Sequence, residues 1–347
     1  MLFAGIAWTG RGFDVALLGE SGAPVAPPVH FPAGRVASLI DHLRQVGGPP
    51  GERLLCVVDS TNGMLDGGMM TAGLHVYRAD PRVLPVRPDF GSVDAGTLAL
   101  AGVARLPELA PLVIENGSLT GRLDELDRCI EESAQSTAAL TEAGRCFAHG
   151  ERTTDGRTIA LTFDDGPNPP HTDRILDVLD RYGVPATFFC VGLHASAHHE
   201  VLARMAEAGH RIGNHTWSHP FLPDLSLRQL ALQLERTDEV IAEAAPAQRP
   251  RLFRPPYGSR TPEILSWLAD DNAGPTVVLW DVEPFDWALP GADVIARRVL
   301  EQARAGSVVL MHDGGGDRSQ TAEALPAVIE GLLARGYRFA LADELAP

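Results

Sequence analysis

The sequence predicts an α/β protein in two parts, the second a closed or nearly closed parallel barrel. Two observations carry this. From Thr158 onward, short apolar strand-like runs alternate with amphipathic helical runs, seven repeats in roughly 190 residues. Before that point lie a different strand pattern and then Leu123–Ala143, a stretch with few breakers and many charges that looks like a solvated connecting helix. A doubly wound open sheet is the alternative for the second part, but no Gly-rich dinucleotide fingerprint follows any strand.

In the first part, Leu2–Ile6 and Phe13–Leu18 read as strands around the turn Trp8–Gly12. Val36–Gln45 reads as a helix because Val36, Leu39, Ile40 and Leu43 follow helical spacing. Leu54–Val58 is an apolar strand ending at Asp59, and a further helix is expected near Asp94–Ala104. The divisions are 1–122 for an accessory domain, 123–156 for a helical linker and 157–347 for the barrel. Barrel strands are expected at Ile159–Phe163, Ala186–Val191, Arg211–Asn214, Leu252–Arg254, Thr276–Trp280, Ser307–Met311 and Arg338–Ala342. Helices are expected between them, as at Thr172–Tyr182, Leu227–Ala244, Pro262–Ala269, Val294–Ala303 and Ala322–Leu333.

Composition narrows the function. The 347 residues are 45% hydrophobic and 21% charged, which is globular. Basic residues number 29 against 45 acidic, for a net charge of −16, and every basic residue is Arg. No catalytic lysine, Schiff base or lysine-dependent phosphate loop can exist. Residues 1–150 hold 11 Arg against 17 acidic residues, so neither part is basic. Nucleic acid and anionic membrane surfaces are therefore not expected partners. Cys56, Cys129, Cys146 and Cys190 lack the clustering of a disulfide framework or a cysteine zinc site. No run approaches the ~18 apolar residues of a membrane span. The first residues show no basic segment before an apolar one, so the expected location is the cytoplasm.

Active sites of parallel barrels lie at the C-terminal ends of the strands, and the chemistry is concentrated there. The first strand ends in Asp164-Asp165-Gly166-Pro167, the third in His215-Thr216-Trp217-Ser218-His219, and the fourth in Arg254-Pro255-Pro256-Tyr257-Gly258. The fifth runs into Asp281-Val282-Glu283-Pro284-Phe285-Asp286-Trp287, and the sixth ends in His312-Asp313. Two histidines at i and i+4 with one carboxylate suit Zn²⁺, with Co²⁺ or Ni²⁺ as alternatives. No Glu follows His215, so a general base must come from elsewhere. The adjacent carboxylates Asp164 and Asp165 can supply it, one on the metal and the other accepting a proton. His194, His198 and His199 read as loop residues, His171 as a helix start, and Gly314–Gly316 as a flexible rim.

Over about Thr158–Leu345 this combination resembles the polysaccharide deacetylase family, the nodulation-protein-B-like domains of carbohydrate esterase family four. Thr162–Pro167, His215–His219 and Arg254–Gly258 match the family's first three motifs, and Leu310 and His312 match the fifth. The resemblance implies a distorted (β/α) barrel of seven or eight strands and a metal held by Asp165, His215 and His219. It implies Asp164 as general base, oriented by Arg254, and His312 as general acid. The backbone N–H of Tyr257 would serve the oxyanion, and Leu310 and Trp287 would line the pocket for the acetyl methyl. The fourth motif departs: Glu283 stands where the family usually has the Asp that tunes the catalytic His, with Asp281 as a substitute. The implied function is metal-dependent removal of an N-acetyl group from an amino-sugar substrate. Hydrolysis of a formyl group or a cyclic imide or amide is the alternative, and a cytoplasmic location would favour a soluble substrate.

The first part resembles, over about 100 residues, an RNase H-like fold such as the N-terminal halves of transposases with a resolvase-like catalytic domain. The likeness rests on Gly5-Ile6-Ala7-Trp8, the strand Phe13–Leu18, Asp59 and Asp94. Ala7 replaces the first metal-binding Asp of that family, so nuclease chemistry is not expected. The domain is expected to be a catalytically dead scaffold, used for homo-oligomerisation or for shaping the barrel's mouth.

Overall fold

A computed structural model describes residues 1–47, 53–115, 118–120, 123–142, 146–151, 157–248, 250–270 and 274–346. Two sheets organise them. The first contains β1 (Leu2–Thr9), β2 (Gly12–Gly19), β3 (Pro24–Pro32), β4 (Leu54–Asp59), β5 (His75–Ala79), β6 (Ala110–Glu115) and β7 (Ser118–Thr120), in the order β3-β2-β1-β4-β5-β6-β7. β1 pairs β2 antiparallel and β4 parallel, and β4 pairs β5 parallel. Alternation along β1 sends Ala4, Ile6 and Trp8 toward Leu39 and Leu43 of the helix Val36–Val46. Ala7 faces the other way, toward Leu98 of the helix Ala95–Arg105. That second helix packs so close that a Cβ on Gly5 would lie 1.9 Å from the Ala95 carbonyl oxygen.

The second sheet is a curled parallel half-barrel. Its strands are β8 (Cys146–Phe147), β9 (Thr158–Asp164), β10 (Thr187–Cys190), β11 (Arg211–Asn214), β12 (Leu252–Phe253), β13 (Thr276–Val278), β14 (Val308–His312) and β15 (Arg338–Phe339). The path runs β14-β9-β10-β11-β12-β13-β8, with β15 also on β9, and its ladders are parallel. The path is not closed by a ladder among the described residues. Among the described residues an antiparallel bridge, His149 to Ser307, joins its two ends, and a parallel bridge ties Val282, beyond β13, to Val309 of β14. Phe163, Phe188, Leu179, Met311 and Ile329 pack the layer between sheet and outer helices.

The structure departs from the expected elements in several places, among them β5, β6 and β7, which the sequence pattern does not predict. Cys146–Phe147, placed in the linker by the sequence, is a strand of the barrel sheet, where Val277 pairs with Cys146. Two residues are too few to show a period. The rest of that boundary, 143–145 and 152–156, lies outside the described residues. β3 carries Pro24, Pro27, Pro28 and Pro32, which suppressed a strand reading; as an edge strand it can spare those N–H groups. Of the histidines after β10, His194 and His199 sit on the helices Gly192–Ala197 and His199–Glu207, His198 joins the two, and His194 is buried.

The two parts share one apolar core. Trp217, Val191 and Leu193 of the barrel pack with Trp8, Phe13 and Leu39 of the first sheet. The Phe90 ring stands between Trp8 and Trp217, at 5.1 and 5.5 Å. Cys56, Cys146 and Cys190 are buried free thiols, and the Cys129 side chain lies outside the described residues. No described helix is long and apolar enough to cross a membrane.

Candidate active site

Parallel pairing in register brings the strand ends to one rim. Asp164 lies beside His312 across the β9–β14 ladder, and Asn214, next to His215, lies beside Cys190. Backbone conformation then aims the side chains. Asp165, Thr216, His219 and Tyr257 all have positive φ, 56–75°, a region costly for residues with a Cβ. Four such residues at one rim are strain held in place by the surrounding packing.

Asp165, His215 and His219 offer one ligand atom each, all within 4.8 Å of one another. The Asp165 Oδ1 lies 3.5 Å from His215 Nε2 and 3.3 Å from His219 Nε2. That oxygen is buried without a hydrogen-bond partner. A buried carboxylate oxygen left unpaired between two imidazole nitrogens is the environment a divalent cation satisfies. His215 Nδ1 is 2.7 Å from the Arg254 carbonyl, which can only accept. The Nδ1–H therefore donates, and Nε2 turns its lone pair toward the site. Burial pushes the His219 pKa down to about 3, so that ring is neutral and able to ligate.

Beside this centre, the Asp164 Oδ1 accepts from Arg254 Nη1 at 2.7 Å. Arg254 is fully buried and pinned on every side. It donates to Thr162 Oγ1 and to the carbonyls of Val278 and Leu279, and its guanidinium lies over the Phe189 ring at 4.2 Å. The other Asp164 oxygen, Oδ2, lies 3.6 Å from His215 Nε2.

His312 holds the opposite side of the rim. Its Nδ1 meets the Asp286 Oδ1 at 2.7 Å, and its backbone N–H donates to Asp286 Oδ2. Burial disfavours the imidazolium, but the Asp286 carboxylate overrides it and raises His312 to about 9. This corrects the expectation that Glu283, or else Asp281, supports His312. Glu283 accepts instead from the indoles of Trp280 and Trp287, at 3.0 and 3.2 Å, and so braces the aromatic wall. Asp281 caps the start of β14 through Ser307 Oγ and the Val308 N–H. Three carboxylates within six residues could not be sorted by spacing, because Phe285 and Leu289 take positive φ and reverse the chain around Asp286.

Asp313 is a further site residue that the sequence left without a role. Its Oδ1 accepts from the Gly166 N–H and its Oδ2 from Thr172 Oγ1, which fixes the turn carrying Asp165. Leu310 is buried and Trp287 half-buried, while Tyr257 packs edge-on against His219 with ring centres 4.5 Å apart.

The acids of the first sheet are spent differently. Asp59 accepts from Thr61 N–H and Oγ1, from Ser92 Oγ and from Val93 N–H. Asp94 caps the helix Ala95–Arg105 by accepting from Thr97 N–H.

Known proteins resemble the barrel part of this chain. The model of the polysaccharide deacetylase family matches residues 151–274. A chitooligosaccharide deacetylase of Rhizobium leguminosarum bv. trifolii is 41% identical over 198 residues, covering 54% of this chain and 91% of that protein. The peptidoglycan-N-acetylmuramic acid deacetylase PdaC of Bacillus subtilis is 40% identical, over 54% of this chain and 38% of its own length. Among solved structures, a peptidoglycan N-acetylglucosamine deacetylase superposes with a TM-score of 0.56 at 35% identity, over 59% of this chain and 94% of that one. A pseudoenzyme of the same family from Bacillus anthracis also superposes, with a TM-score of 0.53 at 30% identity, over 58% of this chain and 68% of that one. By its similarity over nearly the whole length of such a relative, this chain belongs to the polysaccharide deacetylase family.

Proposed function

We infer that the chain removes the acetyl group from the amide nitrogen of an N-acetylated amino sugar, using one divalent ion on Asp165, His215 and His219. The donor set of two imidazoles and one carboxylate suits zinc, with cobalt or nickel as alternatives. Bound there, the ion would supply a Lewis acid for the acyl carbonyl and would lower the pKa of its water toward neutral. The protein's own groups do the rest. Asp164, held in place by Arg254, takes the proton from the attacking water. The backbone N–H of Tyr257 serves the developing oxyanion, and Leu310 and Trp287 line the space for the methyl group. His312, kept protonated by Asp286, gives its proton to the departing amine, which cannot leave as an anion.

The observation that carries this reading is the unpaired Asp165 oxygen facing two imidazoles, with a base on one side and a proton donor on the other. It matters because a pseudoenzyme shares the fold, so superposition alone does not assign activity. The first sheet, with its β3-β2-β1-β4-β5 order, supports an RNase H-like scaffold whose acids are structural.

The test is acetate release from a panel of N-acetylated mono- and oligosaccharides by zinc-loaded protein, run beside formylated amines and cyclic imides. Acetate from the sugars is expected. Turnover of the formyl or cyclic substrates with none of the sugars would move the assignment to that alternative.

A further inference from the structure

The segment between β4 and the short helix Asp66–Thr71 belongs to the first domain, yet it lies against the metal site. Two anchors make it rigid. On its own side, Thr61 is held by Asp59 and by the Trp8 indole, and the Asn62 side chain donates to the Ile6 carbonyl. On the barrel side, the Phe221 N–H donates to the Ser60 carbonyl at 2.9 Å, and Arg87 bridges the two parts by donating to the Ser60 hydroxyl and to the Asp224 carbonyl. Ser60, Thr61, Asn62, Met64, Leu65 and Asp66 are all buried.

Its glycines show how near it comes. A Cβ on Gly63 would lie 2.1 Å from the Tyr257 hydroxyl and 2.8 Å from His219 Nδ1. A Cβ on Gly67 would lie 2.3 Å from the Gly315 carbonyl oxygen. Backbone, with no side chain between, touches both the ligand histidine and the rim beyond His312. His219 and Tyr257 follow β11 and β12, whereas Gly315 follows β14. The segment therefore spans the mouth on the side of β9 and β10. A cleft of about 400 Å³ next to it is lined by Met64, Gly68, His194 and Gly315. Asp164, Asp165, His215, His219, Tyr257 and His312 do not line that cleft, although His194, which does, lies 2.8 Å from the Asp165 carbonyl. The other side of the mouth carries the loop after β13, with Trp287 half-buried and Phe285 exposed.

We propose that Ser60–Gly68 is a fixed wall that makes the site blind on one side, so the substrate is a single acetamido sugar or the terminal unit of a short chain. A unit inside a polymer needs two exits, one for the chain before it and one for the chain after. With the wall on one side, the exit is the side along Trp287 and Phe285. This inference rests on the deacetylase reading for its chemistry, but the wall itself does not.

Two measurements test it on the full chain. Zinc-loaded protein is given N-acetylglucosamine oligomers of one to six units and a soluble chitin polymer, and mass spectrometry locates the deacetylated unit. Loss of acetyl from one terminal unit only is expected, with kcat/KM per polymer acetamide at least ~10-fold below that of the dimer. Arg87→Ala, which removes the bridge from Ser60 to the Asp224 carbonyl, is expected to add internal deacetylation. Internal deacetylation by the unaltered protein, or equal use of polymer and dimer, overturns the wall. Saturation-transfer NMR of the hexamer with metal-free protein reads binding without turnover. Contacts confined to one terminal unit support the proposal, and contacts spread over internal units, or none, overturn it. A chain that binds by its end yet releases no acetate refutes the deacetylase reading and leaves the wall standing.

Discussion

The barrel and the first sheet both place aspartates at the ends of central strands, and only one set is available for chemistry. Asp59 ends β4 as Asp164 ends β9, but four donors saturate its two oxygens. Asp165 keeps one buried oxygen without any donor. A strand-end carboxylate is evidence of a site only when its lone pairs are left over once the fold has been satisfied. By that measure Asp59 is spent on the fold of the first domain, whereas Asp165 is left over for the site.

The sharpest way to break this comparison is at the metal. His219→Ala removes one of three ligands, and metal affinity should fall by more than the ~100-fold that loss of an outer partner can cost. Metal content after dialysis against a graded chelator reads this directly. Wild-type occupancy in both His215→Ala and His219→Ala would remove the assigned centre. Asp164→Asn should keep the metal and lose roughly 10²–10⁴ in kcat, because an amide cannot take the proton.

Asp286→Asn and Glu283→Gln separate two carboxylates that lie three residues apart. The first should lower kcat roughly 10- to 100-fold. With Asp286 present, His312 stays protonated up to about 9. Without it the imidazole titrates lower, so the alkaline limb of the rate profile should move to lower pH. The stability from this pair is complete below the ordinary histidine value and is lost as pH rises through about 9. Asp286→Asn should therefore lower Tm near pH 6 more than near pH 10. Glu283→Gln retains one acceptor for the two indoles and should cost only a few-fold in kcat with no displaced limb. The reverse ranking would restore Glu283 as the partner of His312.

The smallest catalytic effect is expected where the acid is fully paired. Asp59→Ala should cost roughly 2–4 kcal/mol of stability by stranding buried donors, with metal affinity unchanged. Neither form should cut or tightly bind DNA at about 0.15 M salt, given the acidic balance of residues 1–150. DNA cleavage lost with Asp59 would overturn the comparison.

Much of the site was legible because its ligands sit within a few residues of strand ends, and strand ends share a rim in any parallel barrel. Asp164, Asp165, His215, His219 and His312 could all be named from that rule. What escaped depends on backbone direction or on chain segments far apart. Asp286 is aimed by two left-handed residues that no periodicity reveals. Cys146–Phe147 is a strand only because β13 is beside it. The wall at Gly63 and Gly67 joins residues more than 150 positions from those they touch, and a glycine in a turn gives no hint of its neighbour.

The left-handed residues around the rim have a consequence for how this chain can change. Each conformation costs on the order of 1 kcal/mol against a domain's margin of roughly 5–15, so the rim draws on a real part of that margin. Glycine at 165, 216, 219 or 257 would relieve the backbone while removing a ligand or its support. Selection for thermal endurance alone would therefore erode the rim first. The four positions therefore trade backbone stability for the placement of the ligands and their supports.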